Sequence, residues 1–192
     1  MTMNNIPGYM VDEECKVLQE LASSVNRERS IIVELGSLHG KSSSIIAKAA
    51  PLAKVYCIDP WWGNDSSAKD VSEEIAKNRG WPVPGTRNTL EFFLENTKDC
   101  RNIQPIRVNS PVGIENLFLD VDFLFLDAAH TNPSDRINID FWLPQVKKGG
   151  IFAGHDYTGQ WPDVQTNVKY LEDKLGKAVI NPPGTSIWYF YV

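Results

Sequence analysis

A chain of 192 residues is long enough for one domain with a continuous core. Its net charge of −5, with no run of Lys or Arg, argues against a nucleic-acid partner, and no apolar stretch is long enough to span a bilayer. Cys15, Cys57 and Cys100 lie far apart without metal-type spacing and read as free thiols, and the opening MTMNNIPGYMVDEE lacks the basic and apolar regions of a signal peptide, so a soluble cytoplasmic protein is expected.

Strand and helix patterns then alternate along the chain. Apolar residues at Val11, Cys15, Leu18, Leu21, Ala22 and Val25 predict an amphipathic helix over 11–25. Ile31-Ile32-Val33 predicts a buried strand, 42–50 a helix closed by Pro51, and Val55-Tyr56-Cys57-Ile58 a second strand ending at Asp59. From Pro60 to Thr86 the pattern breaks into Trp, Gly, Pro and polar residues, with a short helix at 68–77. Helix follows at 90–97, an extended segment at 103–108, a fully buried strand at 121–126 (VDFLFL) and a helix at 137–146. Gly149-Gly150 reads as a turn, Ile151-Phe152-Ala153 as a core strand and 163–175 as a helix. Around NPPG, 178–180 and 186–191 read as a closing pair of strands. Trp142 and Trp188 are core candidates. This alternation, without repeats or linkers, predicts a single α/β domain over 1–192 with a mostly parallel sheet.

Ligands of such sheets bind at the carboxyl ends of the strands. Polar residues stand at each of those ends: Glu34-Leu35-Gly36, Asp59-Pro60, Asn109-Ser110, Asp127-Ala128-Ala129-His130 and His155-Asp156-Tyr157. Any one of them could simply cap the next helix. Together on one edge they mark a site.

The loop in IIVELGSLHGKSSS decides which ligand. A phosphate-binding P-loop needs four residues between its first glycine and Gly-Lys-Ser, and only three separate Gly36 from Gly40. The dinucleotide fingerprint needs a middle glycine, and Leu38 stands there. What remains is acid-x-Gly-x-x-x-Gly with a second acid, Asp59, ending the next strand. That suits a nucleoside with a cationic tail: Asp59 can accept both ribose hydroxyls while Glu34 offers negative potential to an ammonium or sulfonium group.

With IDPW, RVNSPVG, VDFLFLDAAH and GGIFAGHDY following in order, the chain resembles class I S-adenosylmethionine-dependent methyltransferases over nearly its whole length. Within them it is most similar to metal-dependent small-molecule O-methyltransferases of the catechol and macrocin types. The resemblance implies a Rossmann-like sandwich whose mostly parallel seven-stranded sheet ends in an antiparallel strand. It also implies that Glu34, Gly36, Ser37, Gly40 and Ser42 line the methionine and ribose part of S-adenosylmethionine, that Asp59 holds the ribose, and that Ser110 lies beside the adenine. Asp127, His155 and Asp156 would form a site for a divalent cation such as magnesium, although His155 replaces an expected acid. Asp127 would then serve both metal and catalysis, and His130 would stand where the catechol enzymes place a lysine base, titrating nearer neutral pH.

Ordinary alternatives stand beside these roles: a helix-start residue for His130, a hydrogen-bonding residue behind the metal for His155, a helix cap for Asp156. The aromatic segment 60–86, with Trp61, Trp62 and Trp81, is expected to be a lid over the acceptor, or else a contact between two copies in a homodimer. Two other functions share these features: a different adenosyl-ligand or metal-dependent enzyme, and a binding protein without turnover. The expected acceptor is a small molecule.

Overall fold

A computed structural model describes residues 6–61, 89–117 and 119–192. Among them, six strands form one sheet: β1 (Ile31–Leu35), β2 (Lys54–Asp59), β3 (Ile103–Arg107), β4 (Val121–Leu126), β5 (Val146–Gly154) and β6 (Trp188–Tyr191). Their order is β3-β2-β1-β4-β5-β6, all parallel except β6, which pairs antiparallel with β5. Helices α1 (Asp12–Ser24), α2 (Lys41–Ala49), α3 (Thr89–Thr97), α4 (Ser134–Trp142) and α5 (Pro162–Leu175) make the connections.

Apolar side chains fill both faces of the sheet. On one face Leu18 and Leu21 of α1, Ile45 and Ile46 of α2 and Phe93 of α3 pack on Ile32, Val55, Phe123, Phe125 and Ile151. On the other, Ile139 and Trp142 of α4 and Val164, Val168 and Leu171 of α5 pack on Val33, Leu35, Leu124, Leu126 and Phe152. A central parallel strand covered on both sides has no use for alternation, which is why VDFLFL is apolar almost throughout and buried at every position. Its one acid, Asp122, lies at the opposite end from the strand carboxyl termini. There it accepts from Ile31 N at 2.9 Å and pairs with Lys147 at 3.0 Å and Arg27 at 3.2 Å, a structural knot.

The structure corrects the sequence reading in three places. Among the described residues the sheet has six strands rather than seven. Residues 178–180 contribute only the bridge Ile180↔Tyr189, because the chain turns at once: Thr185 N donates to the Pro182 carbonyl, and the Asn181 amide reaches the Ile187 carbonyl at 2.6 Å. Two prolines in that turn have no N–H to extend a ladder. Gly149 and Gly150, expected to form a turn, lie inside β5 at a register shift opposite β4. The helix expected over 137–146 begins and ends earlier, and Leu143–Gln145 forms a single 3₁₀ turn. The short helix expected at 68–77, and all of the expected lid except Pro60 and Trp61, lie outside the described residues. Trp142 and Trp188 are buried as expected.

The strand order reverses between β1 and β4, and this switch point is closed by one glycine. Gly36 follows β1 with φ +89°, its N–H donates to the Ile58 carbonyl at 2.9 Å, and a Cβ built on it would overlap the Asp127 carbonyl oxygen. Only a residue without a side chain lets the loop after β1 lie against the end of β4.

Candidate functional site

Two acidic centres line the carboxyl edge of the sheet, one on each side of Gly36. In the first, Glu34 on β1 is fully buried and accepts hydrogen bonds from Ser37 Oγ at 2.6 Å and from Ser43 Oγ, while its Oε1 has no partner. Burial pushes its pKa up, and the hydroxyls of Ser37, Ser42 and Ser43 offset this only in part. Asp59 at the end of β2 accepts from Leu38 N on Oδ2 at 2.9 Å and from Trp61 N on Oδ1 at 2.5 Å. It too is raised by burial against the pull of those backbone donors. Two oxygens offer about four acceptor sites, so beside the backbone donors Leu38, Trp61 and Ser37 the carboxylate has room for a ligand hydroxyl.

The loop between β1 and α2 is held from several sides. Leu38 stands at φ 43°, and Gly40, at φ +87°, caps α2 where a Cβ would come within 2.7 Å of Thr97 Cγ2. Asn96 of α3 donates to the His39 carbonyl at 2.8 Å. Trp61, at the start of the expected lid, is buried: its ring centroid lies 4.9 Å from that of Phe93, and its indole N–H donates to the Leu38 carbonyl at 3.0 Å. Ser110, expected beside the adenine, accepts the indole N–H of Trp142 at 2.9 Å.

The second centre gathers the ends of β4 and β5. His130 Nε2 lies 3.1 Å from Asp127 Oδ1 and 3.0 Å from Asp156 Oδ2, and Trp161 packs on the ring with centroids 4.9 Å apart. His130 and Asp156 both hold left-handed backbone, at φ 59° and 60°. Such conformations are costly away from glycine and cluster at functional sites. Burial works against a charged His130 ring, but the hydrogen bonds and charges of Asp127 and Asp156 prevail and raise its pKa to about 10. The effect on Asp156 is the reverse: burial would raise its carboxyl, and the pairing with His130 and with His155 holds it well below the usual range. Beneath them, burial raises Asp135 to about 6, and its Oδ1 accepts from Ala129 N at 3.3 Å.

Among the described residues, Asp127, His130 and Asp156 each present a ligand atom within 4.8 Å of the others. The sequence reading put His155 in that trio and gave His130 to proton transfer. In the structure His155 Nδ1 stands back, 3.5 Å from Asp156 Oδ1 and 3.7 Å from Asp127 Oδ1, and its Nε2 faces Glu14 Oε2 at 3.1 Å. That last approach is an ion pair that misses hydrogen-bond geometry. Burial opposes a charged His155, and the carboxylates of Asp127, Asp156 and Glu14 raise it to about 11. Sequence reasoning missed Glu14 altogether.

A family model described as a methyltransferase domain matches residues 33–157, most of the chain and every strand end described above except that of β6. The chain belongs to that methyltransferase-domain family. Its fold is similar to that of a putative caffeoyl-CoA O-methyltransferase from Staphylococcus aureus, with a TM-score of 0.67 at 16% identity over 97% of this chain and 85% of the other. A precorrin-6y C5,15-methyltransferase from Geobacter metallireducens aligns with a TM-score of 0.64 at 14% identity, covering 98% and 96%. A putative methyltransferase from Streptococcus mutans, solved in complex with SAH, aligns with a TM-score of 0.59 at 15% identity, covering 94% and 97%. At these identities the likeness establishes the Rossmann-like methyltransferase fold. No helix among the described residues is long and apolar enough to cross a membrane.

Proposed function

We propose that this protein transfers a methyl group from S-adenosylmethionine to a hydroxyl of a small molecule, such as a sugar, a phenol or another natural product, with a divalent cation assisting. The observation that carries the reading is the abutment of the two acidic centres across Gly36, so that a ligand seated on the loop after β1 borders the Asp127–His130–Asp156 cluster. The first centre fits a cationic nucleoside: Glu34 has a buried oxygen without a partner, and a phosphate on this loop would face two carboxylates. The carboxylates of Asp127 and Asp156 offer oxygens to a hard divalent ion, magnesium among them, which leaves the His130 imidazole for proton transfer.

When bound, S-adenosylmethionine supplies an electrophilic methyl group and a divalent ion supplies a Lewis acid that lowers the pKa of an acceptor hydroxyl. The residues supply the rest. Asp59 accepts ribose hydroxyls, and the loop from Gly36 to Gly40 offers a backbone surface that a nucleoside can approach closely. Asp127 and Asp156 orient the acceptor oxygen, and Trp161 beside His130 gives an apolar wall for a ring. At a pKa of about 10 His130 is an imidazolium when it bridges Asp127 and Asp156, so it takes a proton only when those carboxylates are paired elsewhere.

Isotope-labelled S-adenosylmethionine, incubated with catechols and hydroxylated sugars in magnesium or in chelator, tests this reading. Product carrying label on oxygen, formed faster with magnesium, is expected. A thermal-shift series with S-adenosylhomocysteine, NAD and ATP checks the loop: saturation at a hundredfold over Kd stabilises by about 2.7 kcal/mol, and only the adenosyl ligand should do so. Stronger stabilisation by NAD or ATP overturns the cofactor assignment.

A further inference from the structure

Helix α1 precedes the stretch matched by the methyltransferase family, yet it sends one carboxylate to the back of the strand-end cluster. Glu14 is 6% exposed, unusual for an acid in the first turn of a helix. Four groups share its two oxygens. Oε1 accepts from Ser186 N at 2.9 Å and from Ser186 Oγ at 2.6 Å. Oε2 accepts from Val11 N at 3.0 Å and pairs with His155 Nε2 at 3.1 Å. Burial would raise the carboxyl, but His155 and Ser186 hold it down at about 2.

Helix capping explains the Val11 contact alone. It gives no reason for burial, for the double hydrogen bond from the segment before β6, or for the imidazole. His155 does. Its ring has one nitrogen toward Glu14 and the other toward Asp156 and Asp127. The contacts are ion pairs: charge attraction between Glu14 and one nitrogen turns the other toward the two carboxylates, and an outer partner of this kind orients the carboxylates that meet a metal.

We propose that Glu14 is a positioning residue for the methyl-transfer site: through His155 it fixes where the Asp127 and Asp156 carboxylates stand. This rests on the methyl-transfer reading above and on the cation site in it. It gives α1 and the Ser186 segment a shared task, since Ser186 anchors the carboxylate that α1 sends to His155. It also divides the two site histidines, with His130 between the Asp127 and Asp156 carboxylates and His155 behind them.

The chain has three histidines, so the ring resonances of His39, His130 and His155 can be assigned in the full-length protein by single substitutions. Manganese alone serves as the metal probe. Glu14→Gln, nearly the same shape without the charge, should shift the His155 ring signals, leave those of His39, and weaken manganese binding by at most the about 10–100-fold expected of removing His155, the ligands' outer partner, itself. S-adenosylhomocysteine affinity should stay within about twofold, the spread expected of an uncoupled site. If Glu14 acts through His155, Glu14→Gln/His155→Gln binds manganese no more weakly than His155→Gln alone. Losses that add overturn the proposal and leave Glu14 a cap. Should Glu14→Gln fail to fold, Ser186→Ala keeps both partners and removes one anchor of Glu14. It should loosen manganese binding in the same direction, and unchanged binding with unmoved His155 signals overturns the proposal. If the wild type takes up no manganese and Asp127→Asn changes nothing, the cation part of the proposed function fails. The His130 signals in Glu14→Gln then decide separately, because His130 touches the two carboxylates and not Glu14: movement upholds positioning, and none refutes it.

Discussion

At the ends of β1 and β2 the carboxylates of Glu34 and Asp59 are held by neutral donors, serine hydroxyls and backbone N–H groups, whereas at the ends of β4 and β5 those of Asp127 and Asp156 are held by histidine rings. The consequences run in opposite directions. Burial wins at Glu34 and Asp59, whose pKa values are raised, and imidazolium pairing wins at Asp156, whose pKa is depressed. Neutral donors stabilise an anion without cancelling it, so the first centre keeps a demand for positive charge that a cationic ligand can meet. The second has met its own demand internally. A cation or an acceptor must compete with His130 there, and the centre therefore has two states where the first has one.

The most severe way to break the contrast is to break the border. Gly36→Ala would place a methyl on the Asp127 carbonyl oxygen at a backbone conformation that L residues avoid, which forces β1 and β4 apart at the switch point. A cost of about 4 kcal/mol or more is expected, in the range reserved for strain in a core, with both centres lost together. Urea unfolding at constant m value measures it. A Gly36→Ala protein of wild-type stability would mean that the two centres are not mechanically joined.

Next in size is a change that separates them. Asp127→Ala should abolish magnesium stimulation of methyl transfer, and His130→Ala should lower turnover by roughly 10²–10⁴, the usual contribution of a positioned acid–base group. Neither should change S-adenosylhomocysteine affinity, because the first centre is built from other strands. Steady-state kinetics beside calorimetry reads both quantities. Activity that survives chelator while Asp127→Ala remains damaged would assign the carboxylates to the acceptor directly.

Asp59→Ala makes the converse separation. Loss of hydrogen bonds to a charged group should weaken S-adenosylhomocysteine binding by about 1.5–3 kcal/mol. Manganese affinity at the second centre should be unchanged. Calorimetry showing wild-type affinity in a folded variant removes Asp59 from the ligand.

The contrast also marks how far the sequence could be read. The site edge was legible because strand periodicity is local: each buried run stops, and the next residues are Glu34, Asp59, Asp127 or His155-Asp156. Gly36 and Gly40 announced a close-packed loop in the same way. The pairing of histidines was not legible, because His130 and His155 differ by which carboxylate their rings meet, and that depends on α1. Glu14 looked like one more acid on the polar face of an amphipathic helix, since the stripe from Cys15 to Val25 accounted for the helix without it. Nothing local revealed Ser186, 172 residues away. Trp61 is followed in sequence by Trp62 and Gly63, and nothing local revealed that it lies buried beside Phe93.

Proton linkage gives a milder test of the self-compensated centre in metal-free protein. The folded pKa values of His130 and His155, about 10 and 11, lie above the ordinary 6.5. Groups shifted this way give a stability that is complete below about pH 6.5 and is lost as pH rises through the folded values. Glu14 works with the opposite sign: its pKa falls from 4.5 to about 2, so its contribution is present above about pH 4.5 and is lost as acid approaches 2. The melting temperature of the wild type should therefore exceed that of His130→Gln most clearly between these limits. The gap should narrow as pH rises from about 6.5 toward 10, and for a chain of this size each 1 kcal/mol moves it about 2–4 °C. A gap independent of pH would show that His130 contributes by packing on Trp161 rather than by charge.

The smallest expected effect probes the rigidity of the first centre. Trp61 holds the loop at two points, its backbone N–H on Asp59 and its indole N–H on the Leu38 carbonyl. Trp61→Phe keeps the backbone bond and a ring against Phe93 but gives up the indole bond, which should cost about 0.5–1.5 kcal/mol of stability. The more informative quantity is binding. If the indole holds Leu38 in place ahead of the ligand, Trp61→Phe lets the loop relax in the free protein, and S-adenosylhomocysteine must restore it on binding. Affinity should then fall by no more than about the same 0.5–1.5 kcal/mol, with the loss in entropy as ordering moves from folding to binding. Calorimetry on the variant separates the terms. A loss of stability with unchanged affinity would mean that the indole bond serves the core alone, and that Asp59 with its backbone donors is sufficient to shape the loop.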